Sequence, residues 1–279
     1  MAHSLAEQLQ SGTGPERYAG GYSSVLLQGL SRRSVARQGA FFLPHVCPGM
    51  HLLDCGCGPG AMTVEFAKAV APGDVVGIDI AASQVAMGRA HAQHEGVANV
   101  QFAVGNLYAL PFPDGAFDAV FVHAVLYHLH DPRAALAEVY RVLKPGGMVG
   151  VRDADHGGNV HSPFPPTLAQ AWELIDHVFQ YHGANLCMGR TQRALLRDAG
   201  FKRVEASASY DYYGTAEATQ TFSAYFIEFL GHQHTEEIIA QGWADRAALE
   251  AMCVALKAWG AHPDAFFARA RCEAVGWKE

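Results

Sequence analysis

The chain has 279 residues, half of them hydrophobic, with 29 glycines and a formal net charge of −7. That is enough to bury a full core in one large domain, or in one domain with a substantial insertion. Acidic and basic residues are interspersed without a Lys/Arg run, which argues against nucleic acid as the main partner. No run of about 18 apolar residues marks a transmembrane helix. Met1 to Arg17 lacks the apolar core of a secretory signal. The six cysteines, Cys47, Cys55, Cys57, Cys187, Cys253 and Cys272, are scattered and read as reduced thiols of a cytoplasmic protein. A monomer is the default expectation, with a dimer possible.

Residues 1–16 are polar and read as mobile. From Tyr22 to about Val46 the apolar positions recur near a 3.6-residue period, with Arg32 and Arg33 on the polar side. This predicts a helix, packed on the core or serving as a lid with Tyr18 and Tyr22 reaching inward. The rest of the chain is organised around the stretch His51 to Thr63. It begins as a short apolar strand, passes through Gly56, Gly58 and Gly60, and continues into a helical pattern. Strand, glycine turn and helix bring backbone close to a nucleotide-like ligand. Glycine permits unusual dihedrals, and the helix start offers free N–H groups.

Val75 to Asp79 reads as a second buried strand ending in a carboxylate. Asp79 stands 25 residues after Asp54 and is placed to accept hydrogen bonds from ribose hydroxyls. Val100 to Val104 is a third strand, followed by Gly105, Asn106 and Leu107. Phe117 to Val122 is a fourth, apolar almost throughout as a buried parallel strand should be. Pro132 to Val142 is an amphipathic helix, and Met148 to Val151 a fifth strand. This alternation implies a doubly wound parallel sheet with its ligand outside the C-terminal ends of the strands. There stand Cys55 to Gly60, Asp79, Asn106, His123 and Asp153.

Beyond Arg152 the alternation breaks. Leu168 to Phe179 and Thr191 to Ala199 read as helices, and Phe201 to Tyr213 as a strand. Residues 216–262 read as two or three helices. Ala265 to Trp277 reads as a final strand that Arg269, Arg271 and Glu273 make amphipathic. The glycine turn alone also fits a dinucleotide fingerprint, so a nicotinamide-dependent oxidoreductase is a competing reading.

Four segments together resemble the class I S-adenosylmethionine-dependent methyltransferases, in the branch of the ubiquinone and menaquinone C-methyltransferases. They are Leu53 to Gly60, Val76 to Asp79, Leu110 to Asp118 and Leu143 to Gly147. The resemblance implies an α/β, doubly wound seven-stranded sheet with the last strand antiparallel, bearing helical cap insertions. It divides the chain into a helical lid (1–45), a cofactor-binding core (46–153) and a cap insertion (154–190). A core helix with strand six (191–215), a helical cap (216–262) and strand seven (263–279) complete the division. It implies S-adenosylmethionine as cofactor. Asp54, Gly56, Cys57, Gly58 and Gly60 would face its methionine part and sulfonium, and Asp79 its ribose. Ile80 would pack on the adenine, and Asn106 and Leu107 would meet the adenine edge. Tyr22, Gln84 and His123 complete the expected pocket. Where Asn106 stands the family usually has Asp; an Asn carbonyl can accept the same adenine hydrogen bond without the charge.

Methyl transfer needs alignment and exclusion of water, and a base only for a poorly acidic acceptor. His128 is the first candidate base, because histidine changes charge near neutral pH. Asp153, Asp155 and His156 come after strand five, and Tyr127 could orient the substrate. The pairs His128/His130 and His232/His234 each lack a third ligand nearby in sequence, so no metal is expected. The insertions carry Phe164, Trp172, Phe179, Tyr181, Tyr210, Tyr212, Tyr213, Phe222, Tyr225 and Phe226. They are either the core of a cap or the lining for an apolar small molecule. The leading expectation is methyl transfer to carbon or oxygen of such a molecule. A module that binds the methyl donor without transferring from it is the third reading.

Overall fold

The structure is a computed structural model that describes residues 20–279. Residues 1–16 and Tyr18 lie outside the described residues. The core strands are β1 (Leu52–Cys55), β2 (Val75–Asp79), β3 (Val100–Val104), β4 (Phe117–His123) and β5 (Leu143–Ala154). All pair in parallel, in the order β3-β2-β1-β4-β5. Side chains alternate between the two faces. Leu53, Cys55, Val120 and Val122 enter one core, while Leu52, Ala119 and Phe121 enter the other. Both faces are therefore buried, which is why the strands read as continuous apolar runs. Phe121 packs against Phe66 at 4.9 Å and Phe42 at 5.6 Å between ring centroids, an aromatic cluster within the opposite core.

Crossover helices α3 (Ala61–Val70) and α5 (Pro132–Val142) fall where the periodicity puts them, and α4 (Ala82–His94) connects β2 to β3. Asp131 caps α5 by accepting from the Ala134 N–H at 3.0 Å. The expected single helix from Tyr22 to Val46 is instead broken into α1 (Ser24–Ser31), α2 (Val35–Gln38) and a 3-10 turn at Leu43–His45. The break falls at Arg32 to Ser34. It takes Arg33 off the solvent side, where the helical period had put it, and into the walls of two cavities.

The seven-stranded family sheet is present and carries one extra strand. β6 (Val160–Ser162) arises inside the first cap insertion. It is followed by α6 (Pro166–Tyr181), α7 (Gln192–Asp198), β7 (Arg203–Tyr213) and, at the chain end, β8 (Phe266–Trp277). The last strand, β8, is antiparallel to β5, β6 and β7. One edge of β8 pairs with β7 along Phe267–Trp277. The other pairs with β5 over Arg271–Trp277 and then with β6 over Phe266–Ala268.

Residues 216–262 form α8 (Ala216–Glu228), a π-turn at Phe229–Gln233, α9 (Thr235–Ala240) and α10 (Arg246–Gly260). With α6 they enclose a separate hydrophobic core around Leu168, Ile175, Phe226, Phe229, Leu256 and Trp259. The cap thus has its own core above the C-terminal ends of the parallel strands. No helix among the described residues is long and apolar enough to cross a membrane.

Candidate active site

The glycine turn between β1 and α3 holds Gly56, Gly58 and Gly60 at φ of 73°, 54° and 80°, all left-handed. Two of them have distinct reasons to lack a side chain. A Cβ on Gly56 would stand 2.3 Å from Val125 Cγ2, so the turn is wedged against the loop after β4. A Cβ on Gly58 would meet nothing within 4 Å and would project into open space. Gly56 serves the fold, and Gly58 keeps the cleft clear.

Asp79 closes the turn from the side. Its Oδ2 accepts from the Gly58 N–H at 3.0 Å and its Oδ1 from the Ala81 N–H at 2.9 Å. Each carboxylate oxygen keeps a second lone pair. Burial raises the Asp79 carboxyl above the usual carboxylate range, against the lowering effect of those two hydrogen bonds.

These residues open onto a cleft enclosing about 1100 Å³ of empty space, counted out to its mouth. It is lined by twelve of the fifteen expected site residues: Tyr22, Gly56, Cys57, Gly58, Asp79, Ile80, Gln84, Asn106, Leu107, His123, Tyr127 and His128. The other three lie outside its wall. Asp54 is buried beneath the turn and accepts from Thr63 Oγ1 at 2.6 Å. Burial outweighs that hydrogen bond and pushes its carboxyl up to about 7. Gly60 starts α3 and packs against Gly88 and Phe102. Asp153 is fully buried, and its Oδ2 accepts from Gln192 Nε2 at 3.2 Å. Burial raises it to about 7, with Arg271 the largest opposing influence.

Several polar groups in the cleft wall have no partner among the described residues. Gln84 is 2% exposed and leaves both amide atoms unsatisfied. His123 receives the Arg152 guanidinium at Nε2, 3.0 Å away, which places its proton on Nδ1. That Nδ1 is buried without a partner. Burial, then Arg33 and Arg152, hold the His123 imidazole well below its usual pKa, so it is neutral. Asn106 accepts from the Tyr108 N–H at 3.0 Å through Oδ1, the atom expected to meet adenine. Its second Oδ1 lone pair and its amide N–H groups remain.

His128 does not titrate near neutral pH in this setting. Burial, then the charges of Arg33 and Arg271, push its pKa down to about 3. Burial likewise raises the Tyr127 phenol. Asp155 is held by Arg190 in a two-pronged ion pair at 2.5 and 2.6 Å. His156 Nδ1 lies 2.8 Å from Asp176.

A second, smaller cavity, about 550 Å³ of empty space counted out to its mouth, adjoins the first and shares Tyr127 and Arg33 with it. Trp172, Ile175, Phe179, Leu186, Tyr225 and Phe226 supply its apolar wall. Of the ten aromatic residues singled out in the insertions, four therefore face this space. Phe222 belongs to the cap core. Phe164, Tyr181, Tyr210 and Tyr212 are exposed.

The histidine pairs find partners that sequence spacing hid. His234 Nδ1 and His182 Nε2 both lie 2.9 Å from Glu237 Oε2. These three are the one His/Cys/Asp/Glu group of metal-binding compactness among the described residues. His232 and His130 are not part of it.

Comparison with known proteins agrees with this geometry. The family profile described as "Methyltransferase domain" matches residues 53–151. An uncharacterized methyltransferase of Schizosaccharomyces pombe is 34% identical over 78% of this chain and 81% of its own. The ubiquinone/menaquinone biosynthesis C-methyltransferase of Ectopseudomonas mendocina is 35% identical over 58% of this chain and 69% of its own. The phosphoethanolamine N-methyltransferase 2 of Haemonchus contortus, solved with S-adenosylhomocysteine, shares the fold at 21% identity and TM-score 0.53. That match covers 84% of this chain and 50% of that one. The [4+2]-cyclase SpnF matches over 90% of this chain and 80% of its own, at 26% identity and TM-score 0.50. The chain belongs to the S-adenosylmethionine-dependent methyltransferases. Its cofactor is S-adenosylmethionine, and the open space at Gly58, the Asp79 carboxylate and the unsatisfied Gln84 amide fit that group.

Proposed function

We propose that the protein transfers a methyl group to carbon or oxygen of a small apolar or aromatic molecule held in the second cavity. The observation that carries the reading is the adjoining of the two cavities at Tyr127 and Arg33, with aromatic and aliphatic side chains around the smaller one. The relatives named as quinone methyltransferases support a small-molecule acceptor.

When bound, S-adenosylmethionine supplies a methyl group already activated on a sulfonium. The chain's own residues then bind, orient and exclude water. Asp79 holds the ribose hydroxyls. Ile80 and Leu107 pack on the adenine, while Gln84 and Asn106 meet its edge. The glycine turn and the His123 Nδ1–H face the methionine part. Asp54 lies beneath them, where a nearby cation favours its ionised form. Tyr127 and the neutral His128 orient the acceptor. Asp153 is a positioning residue, fully buried at the end of β5 and held by Gln192. Residues 20–45 close the cleft as a lid, supported by Leu30 and Arg33 in its wall. Six unpaired cysteines support a cytoplasmic enzyme. Such a site accelerates transfer by alignment and desolvation rather than by a strong base. An open acceptor cavity favours this reading over a module that only binds the donor.

The test uses Ala154, a buried residue in the second cavity's wall alone. Ala154→Leu narrows that cavity. With labelled S-adenosylmethionine and a panel of quinols, phenols and other small nucleophiles, the variant should lose turnover while binding S-adenosylhomocysteine like wild type. Undiminished turnover would place the acceptor elsewhere.

A further inference from the structure

The final strand carries an unusual row. Arg269, Arg271 and Glu273 stand at alternate positions on β8, so their side chains share one face. That face is buried: Arg271 is 3% exposed and Glu273 6%. Two arginines and two carboxylates form a closed network there. Arg152 Nε donates to Glu273 Oε1 at 2.9 Å and Arg152 Nη2 to Asp211 Oδ1 at 2.9 Å. Arg271 Nε donates to Asp211 Oδ2 at 2.7 Å. Ser207 Oγ and Ser209 Oγ complete the Glu273 carboxylate at 2.9 and 2.5 Å. The charges of Arg152 and Arg271 are thus matched by Asp211 and Glu273.

Arg269 has no carboxylate in this network. Its guanidinium carbon stands 5.5 Å from the Phe222 ring centroid and 5.8 Å from that of Phe267. Its Nε is buried with no hydrogen-bond partner among the described residues, and so is Nη1 of Arg271. Both residues line the second cavity, together with Trp172, whose indole N–H is also buried without a partner. Among the described residues, no aspartate or glutamate lines that cavity. The three residues that carry these orphaned donors, two of them cationic, line one aromatic-walled space. Buried donors of this kind are costly to leave unmade, and the charged ones most of all. The chemistry that completes them is an anion with two oxygens, which a guanidinium receives in its fork.

Building on the reading of this cavity as the acceptor site, we propose that the methyl acceptor is an apolar or aromatic acid whose carboxylate is received by Arg269 and Arg271. The anion has a second effect at the neighbouring cleft. Arg271 is among the charges that suppress protonation of His128. A carboxylate bound to Arg271 cancels part of that field, while burial, the larger influence, keeps His128 neutral. The carboxylate also selects the acceptor's orientation, since Tyr127 lies at the other boundary of the cavity with the cofactor cleft.

The test is calorimetric titration of the protein saturated with S-adenosylhomocysteine. The probes are benzoate, 2-naphthoate and biphenyl-4-carboxylate, each paired with its neutral amide. At least one acid should bind about ten-fold more tightly than its amide, as a charge-assisted pair predicts. Arg269→Gln should erase that preference by weakening the acid and sparing the amide. Its affinity for S-adenosylhomocysteine should match wild type, since Arg269 lies outside the cofactor cleft. Arg271→Lys, which keeps the charge beside Asp211, should show a partial loss. The inference is overturned if no acid is preferred over its amide, or if Arg269→Gln retains the preference. Failure of the cofactor reading shows separately, as absent binding of S-adenosylhomocysteine before any acid is added.

Discussion

Gly58 and Gly56 stand two residues apart in one turn, yet substitution should separate their roles. Alanine at either site must adopt a left-handed conformation, which costs about 1–2 kcal/mol. At Gly58 nothing else is added, because a Cβ there meets no atom within 4 Å. At Gly56 the Cβ would overlap Val125 Cγ2 at 2.3 Å. Val125 is β-branched, stiff at χ1, and followed by the fully buried Leu126, so it cannot swing aside cheaply. Overpacking of that kind costs a further ~1–3 kcal/mol. Gly58→Ala should therefore lower the thermal midpoint by roughly 2–8 °C, and Gly56→Ala by roughly twice that. Binding should show the reverse emphasis relative to stability. Gly58→Ala places a methyl group where the cofactor approaches the main chain and should weaken S-adenosylhomocysteine by at least about ten-fold, ~1.4 kcal/mol. Thermal unfolding and calorimetry on the same preparations measure both. If Gly58→Ala binds within about two-fold of wild type, the space above Gly58 is not the cofactor's.

Asp79→Ala removes the acceptor for two main-chain N–H groups as well as the ribose contact. Calorimetry should show S-adenosylhomocysteine weakened about a hundred-fold or more, with NAD bound by neither protein. Asp211→Asn strips a buried counter-charge from Arg152 and Arg271, and urea unfolding near pH 6 should show a loss of about 3–5 kcal/mol. Burial raises the Asp211 carboxyl, but Arg271 and Arg152 outweigh it and hold it well below its ordinary value. The wild-type advantage should thus be full above about pH 4 and fade as pH falls further toward the depressed folded value. Asp54 has the opposite sign. Its folded carboxyl is raised to about 7, so the folded state binds the extra proton between about pH 4 and 7 and loses stability as pH rises. Without cofactor, wild type should lose on the order of 1 kcal/mol per pH unit relative to Asp54→Asn between pH 5 and 7. A constant difference would refute the burial argument.

The Rossmann-like half of the fold is legible in the sequence because its strands are buried on both faces and its turns carry glycine at positions of positive φ. Gly56 to Gly60, Asp79 and His123 meet because parallel strands deliver their C-terminal ends to one side. The segment from Tyr22 to Val46 reads as one helix because its 3.6-residue period persists across Arg32 to Ser34, where the chain turns. β6 is only three residues long and pairs with the distant Phe266–Ala268, so no local pattern announces it. Asp153 sits at a strand end, but β5 runs on to Ala154 and carries its side chain beneath the loop rather than into the cleft. The row Arg269, Arg271 and Glu273 is visible as alternation, and a charged face of that kind reads as the solvent side. Its counter-charges, Asp211 and Arg152, lie 58 or more residues away from Arg269, and pairing across β5, β7 and β8 is what turns that face inward. The contact of His182 with His234 and Glu237 is likewise made by helix packing in the cap, not by spacing.

The most direct test of the account is a crystal structure with S-adenosylhomocysteine and a carboxylic acid selected in the titration. The account predicts the ribose on Asp79, the adenine between Ile80 and Leu107, and the sulfur facing the Tyr127 boundary. The acid would lie across that boundary with its carboxylate on Arg269 and Arg271. A sulfur directed away from Tyr127, or an acid bound outside the second cavity, would contradict it.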